Sequence, residues 1–393
     1  MSQDLWNRRQ LLRWGAALAV GAPLAARLGG ADLLGNAPLT PVSNALRSGA
    51  RVAIAPCSRY GAAVQPALAR CFDLLGGIGA LVRNKTVTVK LNLTNTDFRP
   101  FLGRPVGETF MTHCDTAHAL GELLFAAGAT RVRFVESTRS LATLPDTLVS
   151  AAWDVRALEA LGKVEFENTR NLGSGKTYAH TTVPFGGYLF AALELNRAYE
   201  QTDVMVSLAK LKNHVTAGVS LSMKNLFGIT PSALYGNQAG NEDATAGRGP
   251  LHDPRGFEHI RLPGLKNAIT SVEPSWRVPR IIVDVCAARP IDLAIIDGIT
   301  AMSGGEGPWC RAPAQIKLTS PGILIAGLNP VSTDAVGTAV MGYDDPRAPR
   351  GTKPFLHCDN HLRLAEQAGL GVADLAQIDV RGEAIEKVRR PYG

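Results

Sequence analysis

Residues 203–231, DVMVSLAKLKNHVTAGVSLSMKNLFGITP, constrain the fold more than any other stretch. Val204, Met205, Val206 and Leu208 form a short apolar run suited to a strand inside a sheet. Lys210, Lys212 and His214 follow at alternate positions. An extended chain places side chains two apart on one face, so two ammonium groups and an imidazole project together, roughly 7 Å apart. Neighbouring ammonium groups then repel by about 0.6 kcal/mol in water and about 2 kcal/mol at an effective dielectric of about 20. Such an arrangement calls for counter-charge, from the chain's own carboxylates or from an anionic ligand. Lys224 and Asn225 come next, followed by Phe227, Gly228 and Pro231. Single lysines are mostly solvated surface. Three lysines and a histidine, interleaved with apolar residues, point instead to a ligand site.

Around this stretch, strand and helix patterns alternate. Residues 51–55, 86–93, 131–136, 164–166, 291–296, 316–318, 323–326 and 378–381 read as strands. Residues 64–75, 115–127, 148–161, 281–288, 331–341 and 361–368 read as helices. A loop over 235–261 is rich in glycine and charge, and loops of that length are commonly functional or mobile. The expected fold class is α/β, an open mixed and largely parallel sheet flanked by helices. Ligands of such sheets bind outside the carboxyl ends of the strands. Lys90, Asn92, Glu136, Lys210, Lys212 and Asp297 all fall at such ends.

The order of these motifs resembles the "domain of unknown function 362" family. The central pattern is a strand, then lysine-x-lysine-x-histidine, then lysine-asparagine-x-x-glycine, here Lys210, Lys212, His214, Lys224, Asn225 and Gly228. Lys90-Leu91-Asn92-Leu93 resembles the family's early lysine-proline-asparagine-leucine strand end, with Leu91 in place of the proline. Glu136-Ser137, His252, Asp284, Asp297-Gly298, the glycine-rich turn at 304–308 and Asp334 complete the set. The resemblance covers residues 50–385. It implies one large α/β domain there, with lobes dividing near residue 200 as the alternative. It implies no particular activity. Some members add a ferredoxin module with a four-iron four-sulfur cluster. None of the six cysteines here forms a Cys-x-x-Cys pair, so cysteine spacing does not support an iron–sulfur cluster.

Residues 7–13, NRRQLLR, precede an apolar, alanine-rich segment and then small residues. This is the layout of a twin-arginine export signal, with residues 1–37 as the expected signal. The export machinery is then a partner, and the destination is periplasmic or otherwise extracytoplasmic. The apolar segment is short for a stable span, so none is expected in the mature chain. The net charge of the whole chain is +7, with no basic block and no basic–aromatic alternation. Nucleic acid is therefore not an expected partner.

His113-Cys114-Asp115 and His357-Cys358-Asp359 repeat one tripeptide before two helices. Asp115 and Asp359 suit helix capping. Alternatively His113, Cys114, His357 and Cys358 converge on a metal, since imidazole and thiolate suit zinc, copper or iron. The glycine-rich turn at 304–308 reads either as a backbone cradle for an anion or as a connector.

The expected function is an exported protein that holds a small anionic substrate or cofactor. Lys90, Asn92, Lys210, Lys212, Lys224, Asn225 and His252 are the candidate binding residues. His214, with Asp297 and Glu136, is the candidate for proton transfer. The alternative is a non-catalytic metal- or cofactor-binding protein. Neither the cofactor nor the metal is specified by the sequence.

Overall fold

Apolar runs buried on both faces build the central strands; every residue from Val204 to Lys212 is buried. The computed structural model describes residues 50–310 and 315–392; the arginine pair of the export motif lies outside them. In chain order the strands are β1 Arg51–Pro56, β2 Thr86–Lys90, β3 Arg131–Glu136, β4 Val164–Asn168, β5 Ala179–Thr182, β6 Ala192–Leu195 and β7 Val204–His214. They continue with β8 Gly218–Ser220, β9 Leu293–Ser303, β10 Lys317–Thr319, β11 Ile323–Gly327 and β12 Asp379–Gly382. The main sheet runs β12-β1-β11-β9-β7-β2-β3-β4, with β10 on β9 and β8 on β7; β5 and β6 pair separately. β2, β3, β4, β7 and β9 are parallel along this path, whereas β11 is antiparallel to both β1 and β9. The fold is the expected mixed, largely parallel α/β sheet.

Helices cover both faces. α1 Val64–Leu75 and α2 Cys114–Ala126 lie with one apolar layer. α3 Ser222–Leu226, α4 Pro274–Ala288, α5 Pro330–Val340 and α6 His361–Gln367 lie with the other. β7 serves both layers. Val204, Val206 and Leu208 face the α1/α2 side, and Met205 and Leu211 face the opposite side. Among the described residues, no helix is long and apolar enough to cross a membrane.

Some local expectations change. The helix expected over 148–161 is two short helices, Leu144–Ser150 and Val155–Glu159. Ala152 sits at φ 61° between them, and Asp154 caps the second by accepting the Ala157 N–H at 3.0 Å. The caps at the repeated tripeptides are also different residues. His113 Nδ1 accepts the Asp115 N–H at 3.1 Å, and Asn360 Oδ1 accepts the Leu362 N–H at 2.9 Å. Asp115 instead accepts the Gly61 N–H at 2.6 Å, and Asp359 pairs with Arg280 at 2.5 Å.

Candidate functional site

The long strand β7 carries the cluster because it stays extended to His214, past the apolar run. Its pairing with β9 is irregular between Lys210 and Lys212. Both lysines turn toward the loop that precedes α2. Lys210 Nζ donates to Gly107 O at 2.6 Å, to the Tyr60 hydroxyl at 2.5 Å and to Asp297 Oδ2 at 3.2 Å. Asp297, from the neighbouring β9, also accepts from Tyr60 at 3.0 Å, from Thr116 at 3.1 Å and from the Ile299 N–H at 3.1 Å. Lys210 and Asp297 are fully buried. Every oxygen of this pair is used, so it is closed to solvent and to a ligand.

Lys90 and Glu136 form a second closed pair at the ends of β2 and β3. Lys90 Nζ donates to Glu136 Oε1 at 2.5 Å and to Leu91 O at 2.7 Å. Glu136 further accepts the Leu93 N–H at 2.6 Å and the Ser137 N–H at 2.8 Å. Gly228 lies against it; a Cβ there would sit 3.1 Å from Lys90 Nζ. Asp284 and Asp334, the other acids of the resemblance, form no ion pair with a lysine among the described residues. Asp284 accepts the backbone N–H groups of Tyr188, Leu189 and Phe190 at 2.6–2.9 Å. Asp334 accepts Ser222 N–H, Ser222 Oγ–H and Met223 N–H at 2.5–2.9 Å, and so fixes the start of α3. Burial raises both carboxyls to about 7, against those hydrogen bonds.

Lys212 has no carboxylate within salt-bridge distance among the described residues. Its Nζ donates to Phe110 O at 2.6 Å, Asn92 Oδ1 at 3.1 Å and Glu306 O at 3.4 Å. Burial lowers its pKa to about 7, with Glu306 opposing and Lys224 and Lys210 adding to the fall. Asn92 passes the contact onward, donating to Asn225 Oδ1 at 3.0 Å. Asn225 donates in turn to Lys90 O at 3.2 Å and Ser207 Oγ at 3.1 Å. The two asparagines therefore knit β2, β7 and α3 together.

The half-buried part of the site lies beyond these pairs. Lys224, on α3, keeps part of its surface exposed and has no hydrogen bond or ion pair among the described residues. Its Nζ sits 4.5 Å from the centre of the Phe227 ring. His252 packs edge-on against the same ring at 5.1 Å. Burial, opposed by Glu306 and aided by Arg248 and Lys90, lowers Lys224 to about 8. His214 lies nearby, its Nδ1 3.9 Å from Glu306 Oε2. Its pKa falls well below the ordinary value through burial, then through Lys224, His252 and Lys212.

Hydrogen bonds fix how the two neutral imidazoles are protonated. His214 Nδ1 accepts the Thr216 N–H at 3.2 Å, so its proton resides on Nε2. His252 Nδ1 lies 2.8 Å from Arg248 O, an acceptor, so His252 carries its proton on Nδ1 and a lone pair on Nε2. Burial holds His252 near 4. The arrangement supplies a neutral donor, a neutral proton acceptor and an unpaired ammonium.

Several members of this site carry no strong sequence signal. Arg248 donates to Ser137 Oγ at 2.6 Å, Thr230 O at 2.7 Å and Gly228 O at 2.9 Å. Only the length and glycine content of its loop hinted at a role. Glu306 comes from the glycine-rich turn, which thus delivers a carboxylate to His214 and accepts the Val215 N–H at 2.8 Å. Tyr60 stacks on His113 with ring centres 3.6 Å apart. His361 is fully buried, and neither of its ring nitrogens has a hydrogen-bond partner among the described residues.

The repeated tripeptides do not come together as one ligand set. His113, Cys114 and Asp115 bring their ligand atoms within 4.8 Å of one another. Cys358 is buried in the apolar layer of α4–α6, His357 is exposed, and Cys114 packs against the opposite layer. Burial raises Cys114 to about 11 and Cys358 to about 12, with Asp115 and Asp359 respectively adding to the effect, so neither thiol is poised to ionise.

Comparison with known proteins gives two findings. The family model described as "Domain of unknown function (DUF362)" matches residues 87–339, more than half of the chain, from β2 to α5. A thylakoid-associated protein of Synechocystis sp. is 25% identical over 160 residues, covering 41% of this chain and 39% of that protein. The match thus spans well under half of the length of that curated relative.

Proposed function

Because this chain belongs to the DUF362 family, whose description leaves the activity open, we propose its role from the site: it binds a small anionic compound at the carboxyl edge of the sheet and transfers a proton to or from it. One observation carries this reading. Lys224 presents an ammonium with no anionic partner among the described residues, and it does so beside two neutral imidazoles. An enclosed cation is disfavoured unless something neutralises it. Lys90 and Lys210 have carboxylates of their own, so the ligand's place is at Lys224, with Lys212 and His214 behind it. His252 Nε2 is the proton acceptor and His214 Nε2–H the donor. The roles first assigned to Glu136 and Asp297 become positioning roles, since both spend their oxygens on neighbouring groups. The arginine pair Arg8-Arg9 ahead of an apolar segment supports export as the setting of this activity.

Native mass spectrometry of the full chain, purified from its source, tests the reading. A retained small anion that is lost on Lys224→Met is expected. A Lys224→Met protein that keeps the same bound species refutes it. The alternative, a metal-binding protein without chemistry, has the clustered atoms of His113, Cys114 and Asp115 in its favour. Stoichiometric metal in the same sample, lost on Cys114→Ser, would support that alternative.

A further inference from the structure

Charge and donor geometry together narrow the class of anion, given the anion-binding reading above. Once Glu136 and Asp297 have neutralised Lys90 and Lys210, four cations remain at this edge: Lys212, Lys224, Arg248 and Arg139. Among the described residues, Glu306 is set against Lys212 and Lys224, and Glu136, already paired with Lys90, also faces Arg248. A monoanion would leave most of this excess in place. A dianion removes most of it.

Arg248 is built to be a fixed ligand. Its Nε and Nη2 are held by three neutral acceptors, Thr230 O, Ser137 Oγ and Gly228 O, at 2.6–2.9 Å. Its Nη1 has no partner among the described residues, so a planar, immobilised guanidinium keeps donors free. Arg139 lies at the exposed rim, two residues after Ser137, and it too has no partner there. Gly247, just before Arg248, makes room for it: a Cβ at Gly247 would come 3.0 Å from Arg139 Nη2. Lys224 and the Nε2–H of His214 add donors from α3 and from the end of β7. The donors come from four separate segments. A carboxylate presents its lone pairs in one plane, whereas a phosphoryl group offers three oxygens in three directions.

We propose that this cluster of donors binds a phosphoryl group in its dianionic form, with Arg248, Arg139 and Lys224 as its ligands, and that the anionic compound is therefore a phosphate ester. Titration calorimetry of the full chain with methyl phosphate, inorganic phosphate and acetate tests this. Methyl phosphate is expected to bind at least about tenfold more tightly than acetate. Its affinity should rise between about pH 5 and pH 7, as the second phosphate proton leaves near pH 6. Arg139→Gln and Lys224→Met should each weaken it about tenfold or more. Neither side chain has a protein hydrogen bond to lose among the described residues, so both variants should fold even if Arg248→Gln does not. Acetate binding as tight as methyl phosphate, and dependent on Lys224, would overturn the phosphoryl assignment and leave the anion site standing. Phosphate binding that both variants leave unchanged would place the phosphate elsewhere and overturn the assignment. No binding of any of these anions by the folded wild-type chain would count against the phosphoryl assignment and the anion site alike.

Discussion

Replacing Lys224 by Met separates a binding residue from a structural one. In the folded chain the side chain is half-buried, the ammonium lies near Arg248 and Lys90 with Glu306 opposing them, and among the described residues it has no hydrogen bond or ion pair, only the face of Phe227 at 4.5 Å. Its pKa falls from 10.5 to about 8. At about 1.4 kcal/mol per pH unit, keeping it protonated in the folded state costs about 3.5 kcal/mol. The contact with Phe227 returns about 0.5–1 kcal/mol. Methionine keeps much of the apolar stem. Lys224→Met should therefore stabilise the ligand-free protein by about 2.5–3 kcal/mol at neutral pH, a few degrees in Tm. The sign follows from linkage. The unfolded chain holds this proton up to pH 10.5 and the folded chain only to about 8, so wild-type stability climbs with pH between those values. The cost is fully present below pH 8 and gone above pH 10.5, and the advantage of the variant should shrink across the same window. Urea denaturation of both proteins at pH 7 and near pH 10.5 measures this. A variant less stable than wild type at pH 7, or one whose advantage is unchanged at high pH, would show that Lys224 has a structural partner.

Glu136→Gln strands the buried Lys90 ammonium and should cost about 3–5 kcal/mol, seen as a lower urea midpoint. Asp334→Asn tests the anchor of α3. Its carboxyl is raised to about 7, so its contribution is fully present below pH 4 and is lost as pH rises to 7. The variant should flatten that part of the pH–stability curve and weaken anion binding through a displaced Lys224; an unchanged slope would contradict the raised carboxyl. Arg8→Lys with Arg9→Lys should leave the protein in the cytoplasm, and undiminished export measured by fractionation would refute the twin-arginine assignment.

Sequence alone determined the fold class: short continuous apolar runs alternating with amphipathic helical segments call for an α/β sheet, because strands covered by helices on both faces bury every residue. It also placed Lys90 at a strand end, whereas Lys210, Lys212 and Asp297, expected at strand ends too, lie inside strands, because β7 stays extended to His214 and β9 to Ser303; each polar residue there needs a partner inside the core. Which partner each one takes was settled only in three dimensions. β9 runs beside β7 and sets Asp297 against Lys210, and β3 beside β2 sets Glu136 against Lys90. The same closure left Lys224 without an ion pair among the described residues, with only the more distant Glu306 opposing its neighbouring cations. Arg248, Arg139 and Glu306 were illegible for a related reason. They lie on loops whose composition fixes no conformation, and they meet the site through contacts between positions such as 137 and 248, far apart in the chain. Charge pairing at the sheet edge is a property of strand adjacency, which periodicity along one segment does not encode.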